Sequence, residues 1–354
     1  MSGYITGQGS AAWAVKETSY GVAPTTPTYN LLNMTGESMS ATFNKLDEAT
    51  LIGTKTLPEQ DLGSVTVSGG VSTILKPAFV DWLFDVTLGK CSSVTHAGSN
   101  HFDKNTYTLQ DVGSAIPTSQ MRLQRGTKQF EYSGLTVGSL TLNCTAGDFV
   151  KADVDFKGYK EVFNNSTAWT VPASTGAASY KCTKARLVAA TAGTATEVGF
   201  NWDWDTCPAD TVYDIKGATI TFDNGLEDTP ATYCSGVYAN QPINGQRSVT
   251  IQCDVPYSAS FEAFRQQYYA SENPDKIALM LGFCSKETIS YTQDSSTVTY
   301  PKEQVMVILP NISITSMSAN VSGQGLIDGS FNGTALSIGS TEPVIVIVKH
   351  GYNS

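Results

Sequence analysis

Histidine is scarce: three occur in 354 residues, at positions 96, 101 and 350. His96 and His101 sit five apart in a Gly/Ser-rich stretch, a spacing that suits neither an H-x-x-x-H helix pair nor a zinc-finger ligand set, so they are expected as exposed turn residues. Cysteine is present but not patterned. Cys91, Cys144, Cys182, Cys207, Cys234, Cys253 and Cys284 are odd in number, widely spaced and free of C-x-x-C, which fits reduced thiols made in a cytoplasm better than a disulfide framework or a zinc site. There is no G-x-S-x-G elbow, no phosphate-loop lysine motif and no G-x-G-x-x-G, so the common nucleophile and nucleotide sites have no sequence basis.

Charge is sparse too, at 15% of residues, and 32 acids outweigh 22 bases for a net charge of −10. Long helices with charged outer faces are therefore not expected to dominate. A surface that grips phosphate backbones needs clustered Lys and Arg, which this balance argues against, although acidity does not exclude DNA as cargo. No apolar run is long enough to span a bilayer as a helix, the C-terminal "PVIVIVKH" having only strand length, and no membrane association is expected. The opening "MSGYITGQGSAAWAV" lacks the basic start and apolar run of a secretory signal.

Chemistry is equally thin among the acids. Asp203 and Asp205 lie within "FNWDWD" and Asp210 follows it, but the stretch lacks the Gly and closing Glu of a calcium loop. Asp47/Glu48 and Glu227/Asp228 pair acids as a glycosidase would, yet they fall at strand ends beside long loops, where carboxylates are ordinarily just solvated. No enzyme, cofactor or metal is expected.

What the chain does contain is a pattern written twice. Ser139 to Ala152 and Ser316 to Gly329 share only two identities, Ser139/Ser316 and Asn143/Asn320, but their alternation agrees. Leu140, Leu142 and Cys144 match Met317, Ala319 and Val321, while Thr141, Asn143 and Thr145 match Ser318, Asn320 and Ser322. Both are period-2 strands with one apolar and one small polar face. A two-residue gap at Asp153 and Val154 then aligns Phe156 with Phe331. Earlier, "SMSATFNKLDEAT" from Ser38 matches "GATITFDNGLEDTP" from Gly217, and "GSVTV" from Gly63 matches "RSVTI" from Arg247. Phe43 to Phe222 is 179 residues, Ser64 to Ser248 is 184 and Ser139 to Ser316 is 177. Three blocks in one order at one offset read as a tandem duplication of a β module.

The expected organisation follows: an extended N-terminal arm over 1–32, a first module over 33–158, a connector over 159–213, a second module over 214–342, and a C-terminal strand and tail over 343–354. The prolines of "GVAPTTPTY" keep the arm out of sheet and helix. Glu48 to Ser64 and Asp228 to Ser248 are too long for hairpin turns, and loops of that size are usually functional. Each module carries one candidate helix, "KPAFVDWLFDVTL" with Pro77 in its first turn and "SFEAFRQQYYA" capped by Ser258.

These residues also match a familiar pattern. "VKETSYGVAPTTPTYN" from Val15, the Gly36 to Ser38 turn, "GSVTVSGGVSTILKPAFVDWLF" from Gly63 and "YSGLTVGSLTLNCTAGDFVKADVDFKG" from Tyr132 resemble the major tail tube proteins of long-tailed, siphovirus-like bacteriophages. The resemblance implies a mainly β fold, here two tandem tail-tube-type β-sandwich or barrel modules with a short flanking α-helix each, related by a pseudo-twofold repeat. It implies a virion structural protein, assembled in the host bacterial cytoplasm, whose rings of six modules stack into a hollow conduit for DNA ejection. With two modules per chain, three copies close a homotrimeric, pseudo-hexameric ring. The implied partners are other copies of the chain, the tape measure protein, the tail terminator and baseplate or tail-tip proteins, with duplex DNA passing through without sequence-specific binding.

On the same resemblance the long loops reach the next ring, with Leu51, Ile52, Leu57, Tyr233 and Tyr238 as apolar anchors. Thr141, Asn143, Thr145, Ser318, Asn320 and Ser322 are the candidate lumen-facing residues. Asp153 and Asp155 join them as lumen acids, with an exposed outer strand face as the alternative. The competing reading is a virion adhesin or carbohydrate-binding β-sandwich in which Trp13, Trp82, Trp169, Trp202 and Trp204 supply stacking surfaces.

Overall fold

A computed structural model describes residues 7–47, 60–95, 102–111, 114–164, 168–174, 176–189, 215–229, 236–238, 240–270, 277–293, 296–320, 327–337 and 342–352. The chain is mainly β, with two α-helices among these residues. Its strands follow the alternation of the sequence. In Lys151–Gly158, Ala152, Val154 and Phe156 are buried while Lys151, Asp153 and Asp155 are exposed. Such a strand is held chiefly by its inward face, at about 1.5–3 kcal/mol for each large apolar side chain removed from water.

Two eighteen-residue strands, Lys128–Thr145 and Glu303–Asn320, organise the rest. Each changes partners midway. The first half of Lys128–Thr145 pairs with Ser119–Arg125 and with Lys160–Phe163, and its second half with Lys151–Gly158 and Gly217–Asp223. The first half of Glu303–Asn320 pairs with Ile277–Cys284 and with Ile345–Gly351, and its second half with Asp328–Ala335. The longest antiparallel ladder therefore runs Ser40–Asp47, Gln60–Ile74, Lys151–Gly158, Lys128–Thr145, Gly217–Asp223, Ser248–Pro256, Asp328–Ala335, Glu303–Asn320.

Within it, Ser139 faces Asp155 and the register then slips by one residue, while Ser316 faces Asn332 and slips in the same way. Val154 stands opposite Leu140, and Phe331 stands opposite Met317. A bulge of this kind bends the strand and lets one long strand serve two layers.

The stretch read as an extended arm includes a buried strand, Ala11–Lys16, which pairs with Ser119–Arg125 on one side and Asn30–Leu32 on the other. Inside the expected connector, Lys160–Phe163 and Lys181–Ala189 are laddered strands. The C-terminal strand Ile345–Gly351 lies between Glu303–Asn320 and Phe102–Leu109, and Phe102–Leu109 pairs in turn with Gly89–Val94.

Helix α1 spans Pro77–Leu88. Pro77 is pre-set for the first turn, and Gly89 ends the helix in the left-handed region at φ 92°, its amide donating to Asp85 O. Phe79, Leu83, Phe84 and Leu88 are buried on it. Helix α2 spans Ala259–Ala270, and the Ser258 hydroxyl accepts from the Phe261 amide at 3.2 Å, as an N-cap should. One continuous apolar core contains Leu140 and Leu142 together with Ile220, Phe222, Phe264 and Phe331, drawing on both halves of the sequence.

Candidate assembly surfaces

The alternation that fills the core leaves the other side of the long ladder polar. Ser139, Thr141 and Asn143 share that face with Asp153 and Asp155, with Thr219, Thr221 and Asp223, and with Ser316 and Ser318 further along. These groups bond across the strands: Ser139 Oγ to Asp155 at 3.0 Å, Asn143 Nδ2 to Asp153 at 3.0 Å, Thr219 Oγ1 to Asn143 at 3.2 Å, and Thr141 to Thr221 at 3.1 Å. Ser318 and Ser330 repeat the pattern at 2.8 Å, and Asn332 donates to Ser316 at 2.9 Å. Thr145 is exposed at the end of its strand. Cross-strand pairs of this kind each contribute about 0.2–1 kcal/mol to the sheet.

Acids stud the face: Asp153, Asp155, Asp223, Asp254 and Asp328, against Lys151, Lys157 and Lys216. Lys157 pairs with Asp228 at 2.8 Å, and Lys216 pairs with Asp328. A shallow groove of about 540 Å³ runs over the bulge, lined by Ser68, Ser139, Asp155, Lys157 and Asp223.

The stretch from Asp223 to Arg247 is fastened to the first half of the chain. Asn224 is buried and donates to the carbonyls of Thr87 and Val137 at 3.1 and 2.9 Å. Lys157 Nζ donates to Leu226 O, Gln241 to Ile116 O, Asn244 to Ser114 O and Arg247 to Leu88 O. Tyr238 forms an isolated parallel bridge with Val65, and its ring lies 5.1 Å from Tyr159. Of the expected inter-ring anchors, Tyr238 is thus half-buried against its own chain; Leu51, Ile52, Leu57 and Tyr233 lie outside the described residues, as do Ser322 and the side chain of Asn320.

A second cluster joins three distant segments. His350, on the C-terminal strand, holds Asp81 of α1 at 2.6 Å through Nε2 and Glu303 at 2.5 Å through Nδ1. Asp81 also accepts from Tyr107 at 2.6 Å and Asn105 at 2.8 Å. Burial alone would lower the His350 pKa, but the two carboxylates outweigh it and push the imidazole up to about 10. Burial pulls Asp81 upward, and the His350 hydrogen bond and charge together with the Tyr107 and Asn105 donors hold it below the ordinary carboxylate value. His350 is therefore a permanent imidazolium at neutral pH, clamping the C-terminal strand to both halves. Nothing in its local sequence signals this role, because its partners are 269 and 47 residues away.

Other polar anchors were equally silent in the sequence. Glu17 is buried and accepts from Thr118 Oγ1 at 2.6 Å, Gly134 N at 2.8 Å and Gly21 N at 2.9 Å, fixing the N-terminal segment on the long strand. Trp13 and Trp82 are buried and offer no stacking surface, and Trp169 is engaged by the Arg122 guanidinium at 4.2 Å. His96, His101, Trp202, Trp204 and the three acids read against a calcium loop lie outside the described residues. Among the described residues no group of three His, Cys, Asp or Glu is placed to hold a metal ion, and no helix is long and apolar enough to cross a membrane.

The described residues thus present a broad polar sheet face and strands at the ends of a long ladder. The family model described as phage tail tube protein matches residues 7–335, and the chain belongs to that family, a structural component of the phage tail. A search of curated proteins finds no match to the chain.

Proposed function

We propose that this chain is a major tail tube subunit built from two copies of one module, three chains closing a pseudo-hexameric ring and the rings stacking into the conduit through which phage DNA leaves. The observation that carries this reading is the order of the ladder. Ser40–Asp47, Gln60–Ile74, Lys151–Gly158 and Lys128–Thr145 come first, and Gly217–Asp223, Ser248–Pro256, Asp328–Ala335 and Glu303–Asn320 follow in the same relative order. The like bulges at Asp155/Phe156 and Ile314/Ser316, and a helix after the second strand of each set, support the same duplication. In this reading the modules span about 33–158 and 214–342, and the ladder already joins one module to the next inside a single chain.

The polar face is the natural wall of the bore. Thr141, Asn143, Thr145, Asp153, Asp155, Ser318, Asn320 and Ser322 then line it, and a lumen with more acid than base lets a polyanion slide where a basic one would hold it, duplex DNA carrying one charge per about 1.7 Å. The long loops around Leu51, Ile52, Leu57, Tyr233 and Tyr238 make the contacts between rings, and the tape measure, terminator and tail-tip proteins meet the tube inside and at its ends. Electron microscopy of the purified chain at raised concentration tests the proposal: rings or tubes with six-lobed end views are expected, and a protein that stays monomeric at every concentration contradicts it.

A further inference from the structure

The first halves of the two long strands carry matching slips. Ser119 stands against Leu135 and, one slip later, Met121 against Tyr132; Ile277 stands against Ile312 and, after the same slip, Leu279 against Leu309. Leu135 and Ile312, like Tyr132 and Leu309, are 177 residues apart, the offset of Ser139 and Ser316. At that offset Glu131 and Phe130 correspond to Ile308 and Val307. Val162 and Phe163 face the first two, and Ile345 and Val346 face the second two, which makes Lys160–Phe163 the counterpart of Ile345–Gly351. The counterparts differ on their outer sides. Ile345–Gly351 carries Phe102–Leu109 there, from Val346 opposite Tyr107 to Gly351 opposite Phe102. Lys160–Phe163 has no second ladder partner among the described residues, and Val162 and Phe163 are each 39% exposed.

The strand that makes this difference comes from the other half of the chain. Residues 89–118, between α1 and Ser119–Arg125, hold the hairpin of Gly89–Val94 and Phe102–Leu109. This insertion is tied to the second half along its length. Beyond the ladder, Asn244 donates to Ser114 O at 3.1 Å, Gln241 to Ile116 O at 3.2 Å, and the Tyr352 hydroxyl to Asp103 at 2.7 Å. At its root Arg247 donates to Leu88 O at 3.3 Å, and Asp81 of α1 meets His350 at 2.6 Å. In the second half the corresponding link, between α2 and Ile277–Cys284, is residues 271–276 alone, too few for two strands of six and eight residues. The chain therefore has one such hairpin and places it between its own halves.

Resting on the duplicated-tube reading, we propose that residues 89–118 are a brace that stiffens the joint between the two modules of one chain, and that the joints between chains, which no such hairpin crosses, are where a ring yields. The reason lies in sheet geometry. Neighbouring strands keep their register, but their relative twist ranges over roughly −10 to −35°, so one ladder alone leaves a rotation about the strand axis. A second tie off that axis removes it. Inside the chain, Lys128–Thr145 pairs with Gly217–Asp223, and Phe102–Leu109 pairs with Ile345–Gly351 as that second tie. Around a ring, the module next to Lys160–Phe163 is the second module of a neighbouring copy, whose link of residues 271–276 offers no strand to that edge. Lys160 on the edge strand and Lys128, its Nζ 5.5 Å from the centre of the Phe163 ring, guard it against chance pairing. Three chains then close a ring in which stiff and compliant joints alternate.

Electron cryomicroscopy of tubes, with neighbouring modules refined as separate bodies, reads the joints directly. The spread of module-to-module rotation should be at least twofold wider between chains than within them. In His350→Gln tubes, or in Asp81→Asn tubes should the first variant not assemble, the spread within chains should rise at least 1.5-fold, toward that between chains. Amide exchange in parent tubes gives a second reading. A peptide covering 160–163 should keep amides that exchange as fast as in monomers, while one covering 346–350 should exchange at least a hundredfold more slowly. Equal spreads at the two kinds of joint overturn the brace. Slow exchange of 160–163 in tubes also overturns it, because another copy would then cover that edge. A spread within chains that the variant leaves unchanged overturns the part given to the His350 contact. Parent protein that forms no tubes overturns the tube reading beneath the proposal, a failure seen by microscopy before any joint is measured.

Discussion

Thr141 and Thr221, eighty residues apart in sequence, meet at 3.1 Å across the ladder between Lys128–Thr145 and Gly217–Asp223. Behind that polar contact, Leu142 faces Ile220 and Leu140 faces Phe222, all four fully buried or nearly so. The two halves of the chain therefore share one sheet and one core, and what joins them is a seam of main-chain hydrogen bonds with apolar packing on one side.

A shared core should melt as one. Calorimetry is expected to show a single cooperative transition, and Leu142→Ala, which removes a wholly buried side chain from the seam, should destabilise the whole protein by about 2–5 kcal/mol. Two separated transitions, only one of them moved by the substitution, would mean that the halves fold independently.

The His350 clamp sets a pH dependence. Its folded pKa, about 10, lies above the ordinary value of 6.5, so its stabilisation is complete below about pH 6.5 and is lost as pH rises toward 10. Asp81 works in the opposite sense: its lowered pKa adds stability above the ordinary carboxylate range and loses it as pH falls through the folded value. His350→Gln should cost about 2–3 kcal/mol at pH 7, because Asp81 and Glu303 are left facing an uncharged side chain. It should also flatten the stability profile between pH 7 and 10, measured by denaturant titration across that range.

The stretch from Leu51 to Leu57, proposed to reach the next ring, provides a separate test of stacking. Deleting Leu51 to Leu57 should leave rings intact while tubes fail to extend, counted in electron micrographs. Loss of soluble folded protein instead would place the loop in the core.

How far the sequence foretold all this can be judged residue by residue. Period-2 alternation sufficed to put Thr141 with Asn143 on the polar side of one strand and Ser318 on the polar side of another, because a strand fixes its two faces without knowledge of its neighbours; for Asp153 and Asp155 it left two surfaces open, and the register sets them opposite Thr141 and Ser139. Helices α1 and α2 were legible through Pro77 and the Ser258 cap. The strand Ala11–Lys16 was not, since "AAWAVK" is buried on both faces at its centre and carries no alternation. The matched aromatics differ in setting: Phe43, opposite Val65 on an end strand of the ladder, is 59% exposed, and Phe222, opposite Val249 within it, is 1% exposed. The His350 cluster joins residues from α1 and two late strands, and only the folded sheet brings them together.

Charge in the proposed bore leads to a binding prediction. Tubes of the parent chain should not retain short duplex DNA at about 50 mM salt, whereas Asp153→Lys with Asp155→Lys should retain it there and release it near 200 mM, read by co-sedimentation. DNA held by the variant tubes but still digested by added nuclease would place both acids on an outer face.

The central claim is that one chain supplies two of the six positions around the tube, and mass per ring tests it most directly. Scanning transmission electron microscopy of unstained tubes, combined with the axial repeat from their diffraction, should give three chains per ring with six lobes in end view. Six chains per ring, or end views with only three lobes, would contradict the account.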